Sequence, residues 1–379
     1  MWPVTAFALL LSCLSADSVL ADLDAALASK DTQQVRSIEQ RLLSGNESAD
    51  TLLSAGALLA GHDLLADAAA VFQQCAQQFP ALFEAKYNLA LTRIGLDDYP
   101  AAERILHTMS PGSAPETSAV QYLQGKIYSA TGRVQEARLN LENAYRSNPG
   151  DENYALDLAL LYIRSSAYVP AIQVLQPSLA LHPESEDLAL ELALSDALAG
   201  KQADSLAVCH KLTERNPGLS TPRVIAAFAN CAAASYQACE AEASAGLALP
   251  HPDSYLYYLH AEALWNSGGS ELSKILSELG VAIDKMPACG VCYLLRSRAR
   301  EAANDDRAAI SDLKAALGQE AQSAQAWYRL SVLYRKAGSL SEADDALRHY
   351  RAVRDRQASE EIESFRKQLV GSLNNSSSQ

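Results

Sequence analysis

Hydrophobic and small residues recur along most of the chain with a period of 34 or 35 residues. In each period, larger apolar residues take the fourth, seventh, eleventh and twenty-fourth positions, and small residues take the eighth, twentieth and twenty-seventh. Spacings of three and four residues place such positions on one face of an α-helix. Small residues fit where two helices cross closely. The pattern therefore predicts repeats in series, each made of a first helix, A, and a second helix, B.

A regular series of prolines marks the ends of these repeats. The spacings are 34 or 35 residues, and the series is Pro80, Pro115, Pro149, Pro183, Pro217, Pro252 and Pro287. Because proline cannot continue a helix, the series predicts a periodic helix stop. Gly132, Gly200 and Gly338 fall where the chain turns from helix A to helix B. Pro177 lies inside a predicted helix B, where we expect a kink.

The residue types within each period resemble those of the tetratricopeptide-repeat family, whose repeat reads W-x2-L-G-x2-Y, then A-x3-F-x2-A, then P. The ninth repeat matches this pattern at Trp327, Leu330, Ser331, Tyr334, Ala343, Leu347 and Tyr350. The first repeat matches it at Gly56, Ala68, Phe72, Cys75 and Pro80. The resemblance implies an all-α fold, a right-handed superhelical solenoid of tandem helix–turn–helix repeats. Each repeat leaves an apolar face that only stacking on its neighbours can bury.

The repeat pattern also divides the chain into segments. Nine repeats fill residues 49–357, at 49–82, 83–117, 118–151, 152–185, 186–219, 220–253, 254–289, 290–323 and 324–357. The seventh departs most, because a Ser-Gly-Gly-Ser sequence at 267–270 lengthens its turn. Residues 22–48 predict an N-terminal helical cap. A C-terminal capping helix at 358–371, with Ile362, Phe365 and Leu369 on one face, and a disordered tail at 372–379 complete the chain.

The first 21 residues have the character of an export signal. Residues 4–14 form an apolar run too short to span a bilayer, and Val19 and Ala21 are placed for cleavage before Asp22. This segment has no Lys or Arg at its start, so two alternatives stay open. One is lipidation of Cys13 in a sequence similar to a bacterial lipobox, and the other is a start that is not cleaved. Cleavage predicts a periplasmic or secreted protein, and lipidation predicts a membrane-anchored lipoprotein.

The net charge and the apolar content of the chain limit the classes of partner that we expect. The formal net charge is −14 and the pI is near 5.0, which argues against binding to nucleic acid phosphates. After the first 21 residues no apolar run is long enough for a transmembrane helix. We therefore expect a protein or peptide partner.

The cysteines are the strongest candidates for chemistry. Cys289 and Cys292 form a C-x-x-C motif at the turn into helix A of the eighth repeat. The alternatives are a structural disulfide, two reduced thiols, or a thiol–disulfide or metal site. Cys231 and Cys239 straddle another turn and could also pair, although the pattern places them one helical turn out of alignment. Cys75 lies at a motif position that takes a small apolar residue.

Motifs of nucleotide binding and hydrolysis are missing from the sequence. It contains no G-x-S-x-G, P-loop or G-x-G-x-x-G string, and no H-x-x-x-H pair on a predicted helix. We therefore expect no enzymatic activity, no cofactor and no metal.

The resemblance further implies a binding surface. In the family, helices A line the concave face, and ligand contacts come mainly from the second, fifth, sixth, ninth, twelfth and thirteenth positions of a repeat. The corresponding candidates are Tyr87, Asn88, Tyr122, Lys126, Asn153, Arg164, Arg298, Tyr328, Arg329, Arg335 and Lys336.

The last four candidates form a basic, partly aromatic patch suited to the carboxylates of a peptide, with a solvated charged face as the alternative. The sequence thus predicts a non-catalytic scaffold or adaptor that binds a protein or peptide in its concave groove. The alternative function is a thiol–disulfide or metal-binding module at Cys289 and Cys292.

Overall fold

The fold is described by a computed structural model that covers residues 18–45, 47–320 and 322–357. Every regular element in these ranges is an α-helix. The predicted capping helix at 358–371, the predicted tail at 372–379 and residues 1–17 of the predicted signal segment lie outside the described residues.

The helices follow one another in pairs. They are α1 (Ser18–Ala28), α2 (Thr32–Leu43), α3 (Ala49–Gly61), α4 (Leu65–Gln78), α5 (Phe83–Gly95), α6 (Tyr99–His107), α7 (Ala114–Ala130), α8 (Val134–Ser147), α9 (Glu152–Arg164), α10 (Tyr168–Leu181), α11 (Glu186–Leu198), α12 (Gln202–Arg215), α13 (Thr221–Ala232), α14 (Tyr236–Leu247), α15 (Tyr255–Asn266), α16 (Leu272–Lys285), α17 (Gly290–Ala302), α18 (Asp306–Gln319) and α19 (Ala324–Lys336), followed by α20, which begins at residue 340 and includes 357. From α3 onwards, odd-numbered helices are the predicted helices A and even-numbered ones the predicted helices B. The predicted all-helical fold of sequential helix pairs is confirmed.

The helices divide into two compact parts, which we call the N-terminal unit, Met1–Ser195, and the C-terminal unit, Asp196–Gln379. The division falls inside α11. In each unit most helices pack on the helix that follows, as α3 does on α4 and α17 on α18, and some helices A, such as α13 and α15, also contact each other. The core of each unit is therefore built from contacts between neighbouring helices.

The turns from helix A to helix B share one backbone feature. A residue with positive φ lies within each turn, whether glycine, as at Gly132 (φ 77°), or not, as at Ala234 (φ 56°). The other non-glycine residues of this kind in these turns are Asp63, Asp97, Ser166 and Asn304. A left-handed residue ends the helix and reverses the chain, at a cost in strain for residues other than glycine. The turn between α15 and α16 is longer and has two such residues, Gly268 and Gly269.

Close crossing of helices A and B explains the small residue at the eighth position. A Cβ atom built on Gly56 would lie 2.5 Å from Cε1 of Phe72, and one built on Gly125 would lie 2.7 Å from Cγ of Leu141. Phe72 is fully buried on α4 and belongs to the core of the N-terminal unit. In the first repeat the largest core side chain, Phe72, thus packs against Gly56, which has no side chain.

The prolines of the regular series do not all act alike. Pro115 lies in the first turn of α7, after the N-cap Ser113, so the predicted helix stop at this position is wrong. The first turn of a helix leaves its N–H groups without helical partners, and proline is therefore tolerated there. Pro177 lies inside α10, which continues to Leu181.

Helix α1 includes the predicted cleavage position between Ala21 and Asp22. Val19 is 1% exposed and packs in the same core as Leu23 and Leu42. Cleavage at this position would therefore remove the first turn of α1 and one buried side chain.

Candidate functional site

Three of the predicted binding residues of the N-terminal unit belong to one polar cluster between helices A. Tyr122 Oη and Lys126 Nζ both donate to Oδ2 of Asp157, at 2.6 Å each. The ring of Tyr122 packs on that of Tyr154, with centroids 4.6 Å apart. Burial, followed by the neighbouring Tyr154, raises the pKa of Tyr87 well above its ordinary value.

This cluster is internally satisfied. Tyr122 is 3% exposed, and burial together with Asp157 raises its pKa far above the ordinary value of a tyrosine. The carboxylate of Asp157 accepts a hydroxyl and an ammonium group, so the charge of Lys126 is already balanced by Asp157. The cluster therefore ties α7 to α9 and offers little to a ligand. Its acceptor, Asp157, occupies a sixth position and was not among the predicted residues.

The other three candidates of this unit lie elsewhere. Asn88 is partly buried on α5, and its carbonyl accepts a hydrogen bond from Thr92 Oγ1. Asn153 lies in the first turn of α9, where its N–H donates to the N-cap Asp151. Arg164 is exposed at the end of α9 and donates to the carbonyl of Ser129 at 3.1 Å.

In the C-terminal unit the predicted basic patch on α19 is largely paired. Arg329 donates to Oε1 of Glu301 through Nε and Nη2, at 2.9 Å each. Lys336 Nζ lies 2.6 Å from Oδ2 of Asp306.

The remaining cation of the patch, Arg335, faces Asp344 at 3.7 Å, with both side chains mainly exposed. Tyr328 is 51% exposed, and its ring lies 5.4 Å from that of Tyr350. The structure therefore places a carboxylate beside each cation of the patch, where the sequence pattern predicted excess positive charge.

Arg298 on α17 differs from these cations. It is partly buried, its guanidinium carbon lies 5.1 Å from the ring centroid of Trp265, and among the described residues the structure gives it no hydrogen-bond or ion-pair partner. Burial and the nearby Arg329 lower the pKa of Arg298, while Glu262 acts in the opposite direction. Trp265 and Glu262 were not predicted, although Glu262 occupies the ninth position of the seventh repeat, as Arg298 does in the eighth.

Glu262 is itself held in place. Tyr258 donates a hydrogen bond to its carboxylate, and burial raises the pKa of Glu262 above the ordinary value. Tyr258, Glu262 and Trp265 on α15, Arg298 on α17 and Arg329 on α19 thus form one cluster, which we call the Arg298 cluster.

The cysteines form two disulfides in the C-terminal unit. Cys289 pairs with Cys292 at the start of α17, and Cys231 on α13 pairs with Cys239 on α14, with Cα atoms 5.2 Å apart in the latter. The predicted misalignment of Cys231 and Cys239 is therefore wrong, because the tight turn brings the end of α13 next to the start of α14. Cys292 is fully buried, and the described residues contain no group of three or more side chains placed to hold a metal ion. The C-x-x-C motif is thus part of the core.

A buried histidine forms a second feature that the sequence pattern did not reveal. His260 Nε2 lies 2.9 Å from Ser244 Oγ, and His260 Nδ1 lies 2.7 Å from Oε2 of Glu278. The order of groups is that of a serine–histidine–carboxylate triad. Ser244, however, lies inside α14, where the neighbouring N–H groups make helical bonds and cannot stabilise an oxyanion. The three groups therefore act as a polar link among α14, α15 and α16.

Residues 59–127 match the sequence model of the tetratricopeptide-repeat family. The match runs from α3 into α7, so this part of the chain is similar in sequence to the family. Proteins of this class are generally interaction scaffolds and are usually non-catalytic. No curated protein matches the sequence. Among the described residues, no helix is both long and apolar enough to cross a membrane.

Three solved structures resemble this chain at low sequence identity. A tetratricopeptide repeat protein from Parabacteroides merdae is 15% identical, with a TM-score of 0.40 over 75% of this chain and 98% of that one. The APC/C hetero-tetramer Cut9–Hcn1 is 11% identical, with a TM-score of 0.41 over 91% and 80% of the two chains. The human IFIT1 dimer with PPP-AAAA is 17% identical, with a TM-score of 0.45 over 70% and 66%. Similarity at this level does not indicate what this chain binds.

Proposed function

We propose that this chain is an exported, non-catalytic scaffold that binds a protein or peptide on the surface formed by α15, α17 and α19. We call this the A-helix surface. One observation carries the proposal: the ninth positions of three successive repeats present Glu262, Arg298 and Val332 along it. Val332 is 47% exposed, and among the described residues Arg298 has no hydrogen-bond or ion-pair partner. A surface with an open apolar side chain and an open cation, beside aromatic rings, suits an extended polypeptide.

The disulfides support the exported location. Two pairs in one unit, Cys231–Cys239 and Cys289–Cys292, are typical of proteins that fold in an oxidising compartment. The apolar segment at residues 4–14 also supports export. We therefore place the protein in the periplasm or the secreted space, with a lipid anchor at Cys13 as the alternative.

Site-specific photo-crosslinking tests the binding surface. A photoreactive phenylalanine analogue is placed at Val332 on α19, and a matched control carries it at Ser311, which is exposed on α18. In cells that make the protein naturally, we expect a crosslinked partner from position 332 and none from 311. Equal crosslinking from both positions, or crosslinking from 311 alone, would refute binding on the A-helix surface.

Mass spectrometry of the mature protein tests the location. Loss of residues 1–21 with four cysteines oxidised supports cleaved export, and a diacylglyceryl mass on Cys13 supports the lipid anchor. An intact N-terminus together with free thiols at Cys231, Cys239, Cys289 and Cys292 would contradict export.

A further inference from the structure

We propose that Arg298 is the anchor of the A-helix surface and binds a single carboxylate of the partner polypeptide, from an Asp or Glu side chain or from a free C-terminus. This inference rests on the proposed function, since it names the chemical group that the A-helix surface recognises.

The three alternate arginines of α17 show that Arg298 is directed away from the structural ion pairs. Arg296 forms two hydrogen bonds with Asp312 on α18, at 3.0 and 2.8 Å, and Arg300 lies 3.0 Å from the same carboxylate. Side chains two residues apart project from nearly opposite sides of a helix. Arg296 and Arg300 therefore join helix A to helix B, while Arg298 lies against Trp265 of α15.

Arg298 retains its full set of donors. A guanidinium group has five N–H donors in a planar fork, which matches the two oxygens of a carboxylate. Neither of the nearby acids, Glu262 and Glu301, forms a hydrogen bond or an ion pair with this fork. Each has another partner, because Tyr258 donates to Glu262 and Arg329 is paired with Glu301. Contact with Trp265 orients the guanidinium plane before a ligand binds.

The surrounding charges favour a carboxylate over a phosphate group. Glu262 and Glu301 lie close enough to Arg298 to affect its ionisation. A group with two negative charges is repelled by these two acids more strongly than a group with one. The net charge of −14 on the whole chain acts in the same direction against nucleic acid. The aromatic rings of Tyr258 and Trp265 supply apolar contact for the residues beside the bound carboxylate.

An array of randomised heptapeptides tests the anchor. In separate sets the central residue is fixed as Glu, Asp, Gln or phosphoserine, and further sets have a free or an amidated C-terminus. The full chain is applied as wild type, Arg298→Gln, Arg298→Lys and the matched control Arg307→Gln, each first checked for helix content. Arg307 is exposed on α18, outside the A-helix surface. We expect a preference of about 10-fold or more for Glu or Asp over Gln, or for the free acid over the amide, according to the source of the carboxylate.

The variants test whether Arg298 is the residue that binds the carboxylate. The preference should be lost in Arg298→Gln, reduced in Arg298→Lys and kept in Arg307→Gln. If the wild type binds peptides with no preference for a carboxylate, or if Arg298→Gln keeps that preference, the anchor is refuted while binding on the A-helix surface stands. A preference for phosphoserine over Glu also refutes it. If no peptide binds and position 332 gives no crosslink, both proposals fail.

Discussion

The close approach of α3 and α4 makes Gly56→Ala the sharpest test of the packing. The new Cβ would lie 2.5 Å from Cε1, 2.7 Å from Cζ and 2.8 Å from Cδ1 of Phe72. Carbon atoms in contact prefer about 3.5–4.0 Å, so the ring must move by about 1 Å. Phe72 is fully buried among core side chains, so a shift of its ring also displaces its neighbours.

The expected magnitude follows from two opposing effects. Forcing an extra methyl group into a packed core costs about 1–3 kcal/mol. Replacing glycine by alanine in a helix gains about 0.5–1 kcal/mol. The net loss in the free energy of unfolding should therefore be about 1–2 kcal/mol. Gly280→Ala in α16 is the matched control, because a Cβ there meets nothing within 4 Å, and it should stabilise the protein.

The double variant Gly56→Ala/Phe72→Leu separates the clash from other effects. The fourth repeat already has Ala159 and Leu175 at the equivalent positions, both buried. In the Phe72→Leu background, Gly56→Ala should therefore be neutral or stabilising, a coupling of at least about 1 kcal/mol. Urea unfolding followed by circular dichroism at 222 nm measures all variants. A stabilising effect of Gly56→Ala in the wild-type background, equal to that of Gly280→Ala, would refute the packing argument.

Two further predictions concern the turns and a buried acid. Ala234→Gly should stabilise the protein by up to about 1 kcal/mol, because alanine is strained at positive φ. For the same reason, Gly132→Ala should destabilise the protein by about 1 kcal/mol. Equal urea midpoints for both variants and the wild type would contradict this. Burial raises the pKa of Asp196 to about 6, so its ionisation opposes folding, and stability due to this group is lost as the pH rises from about 4 through about 6. Asp196→Asn should therefore raise the free energy of unfolding by up to about 3 kcal/mol at pH 7 and leave it nearly unchanged at pH 4. An equal shift in the urea midpoint at both pH values would count against this account.

The repeat architecture was predictable because its signals are local. Each signal concerns a single helix pair. Examples are the period of the apolar positions, the turn residue Gly132 and the small residue Gly56. The same local logic was wrong at Pro115, where a proline at the start of α7 looks the same in sequence as one after the end of a helix.

The candidate site was predictable only in outline. The resemblance pointed to helices A and included Arg298, but it gave equal weight to Arg329 and Lys336. Both of these cations have carboxylate partners on other helices, Glu301 and Asp306. A pattern of positions cannot show which cation is neutralised, since the partner is many residues away and belongs to another part of the pattern.

The sequence by itself thus determined that helices form, where most of them end and how they pair, because these properties depend on periodicity, turn residues and side-chain size. The tertiary structure decided which side chains pair with each other and which remain unpaired. It joins Cys231 to Cys239, satisfies Lys126 with Asp157, and leaves Arg298 against Trp265 with its donors unused. Such pairings depend on distances of a few ångströms between side chains on different helices, and packing alone fixes those distances.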